Sequence, residues 1–200
     1  MKPPKGRRNA KLILFAAFII AATILGSLML QKYHRSQQVP ITPALPQETG
    51  VMRISLFFAT PDGQGLSRET REIDSCGNDQ ATCVQDVIEE LVNGPMGDLA
   101  PTLPDATIVN SVQLSGDTAI VDFNNELVNG LPGGSSSETT AVYSIVDTVS
   151  FNFPRIKRVK FLLDGHDAET LKGHVDLRVP IEPDFSQEIE NKNQAAAPKK

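Results

Sequence analysis

Three groups of side chains in this 200-residue chain have types and spacing that could do chemistry. The first is the only cysteine pair, Cys76 and Cys83, separated by Gly-Asn-Asp-Gln-Ala-Thr. Two thiols this close can be oxidised to a disulfide, left free, or used as half of a metal site. Gly77 and Asn78 permit the tight turn that brings the Cα atoms within about 7 Å. A metal would need two more ligands, and His34, His166 and His174 show no ligand spacing to the pair. The second group is His174 with Asp176, the arrangement of a general base and the carboxylate that orients it. No nucleophile lies beside His174 in sequence, and a hydrogen bond fixing the last loop is the plainer role. The third is the run Ser135-Ser136-Ser137-Glu138, which follows a Gly-rich loop. Free N–H groups at a helix start can hold an anion. Glu138 would repel one there, and Ser135 with Glu138 matches a capping box. The patterns G-x-S-x-G, H-E-x-x-H, G-x-G-x-x-G and the P-loop do not occur. No catalytic residue, cofactor, metal or small-molecule substrate is therefore assigned.

Charge narrows the class further. Residues 1–35 hold seven Lys/Arg and no Asp or Glu, leaving 12 basic and 24 acidic residues in the rest. A chain that is acidic after its first 35 residues does not present the general basic face of a nucleic-acid-binding domain. Glu89 and Glu90 alternate with apolar positions and read as a solvated helix face. The run Arg155, Lys157, Arg158, Lys160 is the one basic cluster in the acidic part. Strand alternation puts Arg158 and Lys160 on one side and Lys157 on the other. It is either a charge-protected strand or a docking patch for an acidic partner or a second copy.

Residues 12–31 read LILFAAFIIAATILGSLMLQ, twenty residues without a charge. A helix of that length spans about 30 Å, the hydrocarbon thickness of a bilayer. The stretch is longer than a signal-peptide core and ends in bulky residues, so an uncleaved anchor is favoured over a cleaved signal. Five basic residues before the span and two after it put residues 1–11 in the cytoplasm. The remainder then lies across the membrane, where an oxidising compartment favours pairing Cys76 with Cys83. Residues 32–50, rich in Pro, read as a linker. Residues 51–185 form the folded domain, and residues 186–200 a disordered tail.

The domain's elements follow from periodicity. Val51–Ala59 and residues 66–73 read as strands joined by Thr60-Pro61-Asp62-Gly63. Val84, Val87, Ile88, Leu91 and Val92 make one apolar helical stripe, with Thr82 and Gln85 as a capping box and Gly94-Pro95 as the stop. Residues 108–114 and Thr118–Phe123 read as a hairpin across Gly116-Asp117. A second helix covers residues 136–151, with Val142, Ile145 and Val149 on its buried stripe. Residues 156–163 and 167–171 read as strands flanking Asp164-Gly165. The order β-β-α-β-β-α-β-β describes an α+β domain, two layers with two helices on a mainly antiparallel sheet.

Six segments carry a family resemblance: ETREI from Glu69, VIEELVNGP from Val87, DTAIVDF from Asp117, GSSSETTAVYSIVDTV from Gly134, VKFLLDG from Val159 and ETLKGHVDL from Glu169. In this order and spacing, across about residues 54–182, the chain resembles the GerMN domain, named for bacterial sporulation and germination proteins. The resemblance implies a small, non-catalytic extracytoplasmic module that assembles or positions a cell-envelope complex. It implies a protein partner or self-association at the bacterial cytoplasmic membrane, and it carries over no catalytic residues. A module binding peptidoglycan or another glycan is the alternative, although 6% aromatics and no Trp do not favour sugar stacking. An envelope hydrolase has the least support, since no paired acid and base are evident.

Overall fold

The computed structural model describes residues 50–189. The expected span at 12–31, nearly all of the linker and most of the tail lie outside the described residues. Among the described residues no helix is long and apolar enough to cross a membrane.

Strand β1 (Val51–Ala59) buries Ile54, Leu56 and Phe58 on one face and Phe57 on the other. It pairs antiparallel with β2 (Leu66–Asp74). Helix α1 (Gln80–Val92) buries Val84, Val87, Ile88 and Leu91, the stripe its 3.6-residue period dictates. Burial of each such side chain stabilises by about 1.5–3 kcal/mol. The helix starts earlier than the Thr82–Gln85 box implies. Asp79 is the N-cap and accepts from Ala81 N at 3.1 Å, while Thr82 donates its hydroxyl to the same carboxylate at 2.7 Å. A carboxylate facing the free N–H groups of the first turn outcompetes a hydroxyl inside it. The Cys76–Cys83 disulfide is formed, with Cα atoms 5.2 Å apart, and ties the start of α1 to the chain leaving β2.

Strands β3 (Val109–Ser115) and β4 (Thr118–Phe123) form the expected hairpin, with Gly116 at φ 61° in its turn. A one-turn helix, α2 (Glu126–Asn129), precedes the long helix α3 (Ser135–Asn152). Strand β5 (Arg158–Leu163) then lies parallel to β4, so the four-stranded sheet is mixed, while its other pairs and β1-β2 are antiparallel as expected. The reason is the connection. A crossover carrying a whole helix returns the chain in its starting direction, so β4-α3-β5 is a βαβ unit.

The strands also divide into two sheets, β1-β2 and the mixed β3-β4-β5-β6, where β6 is only His166–Asp167. The chain expected as strand at 167–171 instead turns inward after two residues. Among the described residues β1 joins no further strand, and side chains of α3 occupy its outer edge. Asn152 Oδ1 accepts Ser55 N at 2.8 Å, and its Nδ2 donates to Ser55 O at 2.7 Å. Thr148 Oγ1 accepts Phe57 N at 3.1 Å, and Ala59 exchanges both backbone bonds with Ala100. A helix thus saturates the strand edge. Asn152→Ala is expected to lower stability by about 1–2 kcal/mol, because it leaves a half-buried N–H and C=O without their partner. Asn152→Asp, which keeps the acceptor but loses the donor, should fall between. Urea-unfolding midpoints check both.

Candidate functional site

Three buried carboxylates of this domain, Glu69, Glu138 and Asp147, accept N–H groups of its own backbone. Glu138 lies one turn into α3 and is completely buried. Its Oε1 accepts Leu171 N at 2.9 Å and its Oε2 accepts His174 N at 2.7 Å. Burial alone would oppose its ionisation. The N–H groups of Lys172, His174, Leu171 and Val175 outweigh that and hold the carboxyl below its ordinary range. The capping-box expectation is corrected here. Gly134 is the N-cap with no side-chain bond, and Ser135 is the first helical residue. Glu138 cannot reach back to a cap because it is engaged by the loop at 171–174.

The His174–Asp176 pair is not brought together as a catalytic dyad. His174 is exposed and contributes its backbone N–H to Glu138. Asp176 is bound by Arg178 at 2.9 and 2.8 Å, whose guanidinium holds its carboxyl at about 2. Of the basic cluster, Arg155 and Lys157 are exposed. Arg158 pairs with Asp117 at 2.6 Å. Lys160 is mostly covered, donates to Arg178 O at 2.9 Å and pairs with Asp167 at 3.0 Å. Half of the cluster is therefore engaged within the domain.

Two further polar centres escaped the sequence reading. Glu69 and Arg71 are neighbours on the core face of β2, opposite Leu56 and Ile54. Arg71 bonds Glu69 at 2.5 Å, Glu90 at 2.9 Å and the Gly94 carbonyl at 2.8 Å, so it also satisfies the C-terminal end of α1. Glu69 in turn accepts Met96 N and Gly97 N, both at 3.0 Å. The i, i+2 spacing in an alternating strand would have placed both residues with Ile73, on the buried side. The second centre is Asp147, buried in the middle of α3, whose Oδ1 accepts Asp184 N at 2.9 Å. Burial first, then the nearby Asp184 and Glu188 carboxylates, push Asp147 up to about 7 despite that bond. A single apolar stripe hides it, because α3 is covered on two sides.

An open pocket of about 310 Å³ lies beside the start of α3, lined by Pro101, Leu103, Pro104, Leu131, Pro132 and the hydroxyls of Ser136, Ser137 and Thr140. Among the described residues its lining contains no titratable side chain. Among the described residues no cluster of His, Cys, Asp or Glu could hold a metal ion.

Glu138 and Asp147 should shape stability against pH in opposite directions. The depressed Glu138 contributes above its unfolded pKa of 4.5, and that contribution is lost as pH falls through the folded value. The raised Asp147 contributes fully below 3.8 and is lost as pH climbs through about 7, by at most about 4 kcal/mol. Glu138→Gln is expected to flatten the acid limb of a plot of unfolding midpoint against pH. Asp147→Asn is expected to flatten the limb between pH 4 and 8, and to be the more stable protein at pH 8.

Comparison with known proteins completes the picture. No curated protein matches the chain. A crystal structure of a Clostridium perfringens chain described as a lipoprotein is 27% identical, with TM-score 0.48, over 69% of this chain and 91% of that one. The tandem GerMN domains of the sporulation protein GerM from Bacillus subtilis are 24% identical, with TM-score 0.51, over 68% of this chain. The match spans about half of that tandem structure, 46% of its length. The first GerMN domain of the same protein is 23% identical, with TM-score 0.48, over 66% of this chain and 96% of that one. The family described as "Germane: Sporulation and spore germination" matches residues 55–169, more than half of the sequence. The chain belongs to this Germane family of sporulation and spore germination domains.

Proposed function

We propose that this protein is a non-catalytic interaction module of a bacterial cell envelope. Residues 12–31 tether it to the cytoplasmic membrane, residues 1–11 stay in the cytoplasm, and residues 51–185 work outside. The observation that carries the non-catalytic reading is the use of the buried carboxylates. Glu69, Glu138 and Asp147 each accept backbone N–H bonds from the domain's own loops. A glycoside hydrolase of the usual two-carboxylate kind needs a carboxyl group free to exchange a proton with its substrate. The disulfide supports the compartment, since such bonds persist where the surroundings are oxidising. The partner is another envelope protein or a second copy. Arg155 and Lys157, exposed beside β5, are the free part of the basic cluster for an acidic partner.

The test is made on spheroplasts and purified membranes. Protease added outside is expected to digest residues 51–185, and cross-linking before detergent extraction to co-purify envelope proteins or further copies of the chain. A domain sheltered in the cytoplasm, or release of muropeptides from cell wall by the purified chain, would overturn the reading.

A further inference from the structure

Among the described residues the strand edges are bonded or carry charges, with one exception. On β5, Val159 exchanges backbone bonds with Ile181 at 2.9 and 2.8 Å, and β6 covers the end. On β1, Asn152, Thr148 and Ala100 take the outer groups. On β2, Ile189 N bonds Leu66 O at 2.7 Å, and beyond that point the edge carries Arg68, Glu72 and Asp74. Charges of this kind guard an edge against pairing. Strand β3, at the end of the four-stranded sheet, has no strand on its outer side among the described residues. Its sequence, VNSVQLS, has no charge and no proline.

The backbone on that edge can be assigned. Ser115 and Thr118 flank a two-residue turn, so they form a hydrogen-bonded pair, as do Gln113 with Ile120 and Ser111 with Asp122. Between them, Val112 and Leu114 direct N–H and C=O away from β4. The register irregularity between Val109 and Ser111 limits the regular edge to the residues after it. Leu114 is 38% exposed, so its side chain also lacks full cover.

We propose that β3 is an interface between two copies of this chain. The two strands run antiparallel about a two-fold axis at Gln113, so that Val112 bonds the partner's Leu114 and the two four-stranded sheets become one of eight strands. The occupant is a second copy for reasons of charge and closure. Past residue 35 the chain carries 24 acidic against 12 basic residues, so two copies meet with least repulsion where the surface is neutral. An antiparallel edge contact is self-complementary, and the far edge of the sheet is already bonded to Ile181 and β6, so growth stops at two. The inference rests on the chain being an interaction module and names one of its partners.

Single cysteines placed in turn at residues 110–115 of the full chain test it in native membranes, with Cys76–Cys83 left closed under non-reducing conditions. Intermolecular disulfide should peak at Gln113→Cys and fall on both sides. In detergent micelles, light scattering should give a dimer, and Val112→Pro should lower the dimer fraction at least tenfold with unchanged circular dichroism, because it removes an N–H that β4 does not use. If Val112→Pro does not fold, the double variant Ser111→Lys, Gln113→Lys should give the same loss through like charges at the edge. A monomeric chain with no cross-linking peak overturns the inference, also where β3 captures a different protein. If envelope proteins still co-purify with that monomer, the interaction-module reading stands. If nothing does, both fall.

Discussion

Glu138 lies wholly inside the domain, and the chain at 171–174 closes over it with two N–H groups at 2.9 and 2.7 Å. That contact follows from a general constraint. A loop packed against a core loses water as a partner, and each buried backbone N–H must find another or cost about as much as a lost hydrogen bond. Here carboxylates from helices and strands supply the partners. Glu69 serves the loop after α1, and Asp147 serves the segment at Asp184. Burying a carboxylate is itself costly: several donors converge on Glu138, and donors with Arg71 on Glu69, whereas Asp147 has one donor and its carboxyl is pushed up. Remove the acceptor and the loops lose their reason to fold inward. The elements below them would remain apolar stripes without a lid.

The final described segment shows how such a contact organises a surface. Asp147 holds Asp184, which caps a single 3-10 turn, Phe185–Gln187. The turn sets Phe185 against Phe57 and Phe151, with ring centroids 5.8 and 6.3 Å apart. Arg68 lies 4.7 Å over the Phe151 ring and also bonds Glu188. The face of β1 opposite the main core, at Phe57, is thereby covered by Phe151 and Phe185. Two acidic residues near a buried acid make this cover weaker as Asp147 ionises, while its aromatic contacts are indifferent to pH.

Much of this architecture was legible from pattern alone. Both hairpins, α1, α3 and the Gly116 turn follow from periods of 2 and 3.6 and from turn residues. The α+β class and the family resemblance followed from their order. The parallel pairing of β4 and β5 was also within reach, since a long helical connection implies it. The division into two sheets was not, because it depends on Asn152 meeting Ser55, 97 residues away, by a side-chain contact that leaves no periodic trace. Glu138 was singled out for its position near a helix start and turned out to serve a distant loop. Local chemistry identified the residue, and tertiary packing chose its partner. Asp147 left no trace at all, since a polar residue among apolar ones reads as the exposed face of a helix unless both faces are known to be covered.

The segments that carry the family resemblance are the ones these contacts join. Arg71 in ETREI reaches Glu90 and Gly94 in VIEELVNGP. Glu138 in GSSSETTAVYSIVDTV holds Leu171 and His174 in ETLKGHVDL. Asp122 in DTAIVDF accepts Gly165 N, in VKFLLDG, at 2.8 Å. The resemblance therefore reports the internal contacts of a fold, and residues committed to internal contacts are not available to tell one partner from another. Whatever distinguishes this protein's partners must lie elsewhere on its surface. Strand β3 lies between the resembling segments, is exposed along most of its length and contributes little to the core beyond Val109 and Val112. A strand so placed can change its side chains without disturbing the contacts that hold the domain, which makes an edge of this kind a natural place for specificity on a shared scaffold.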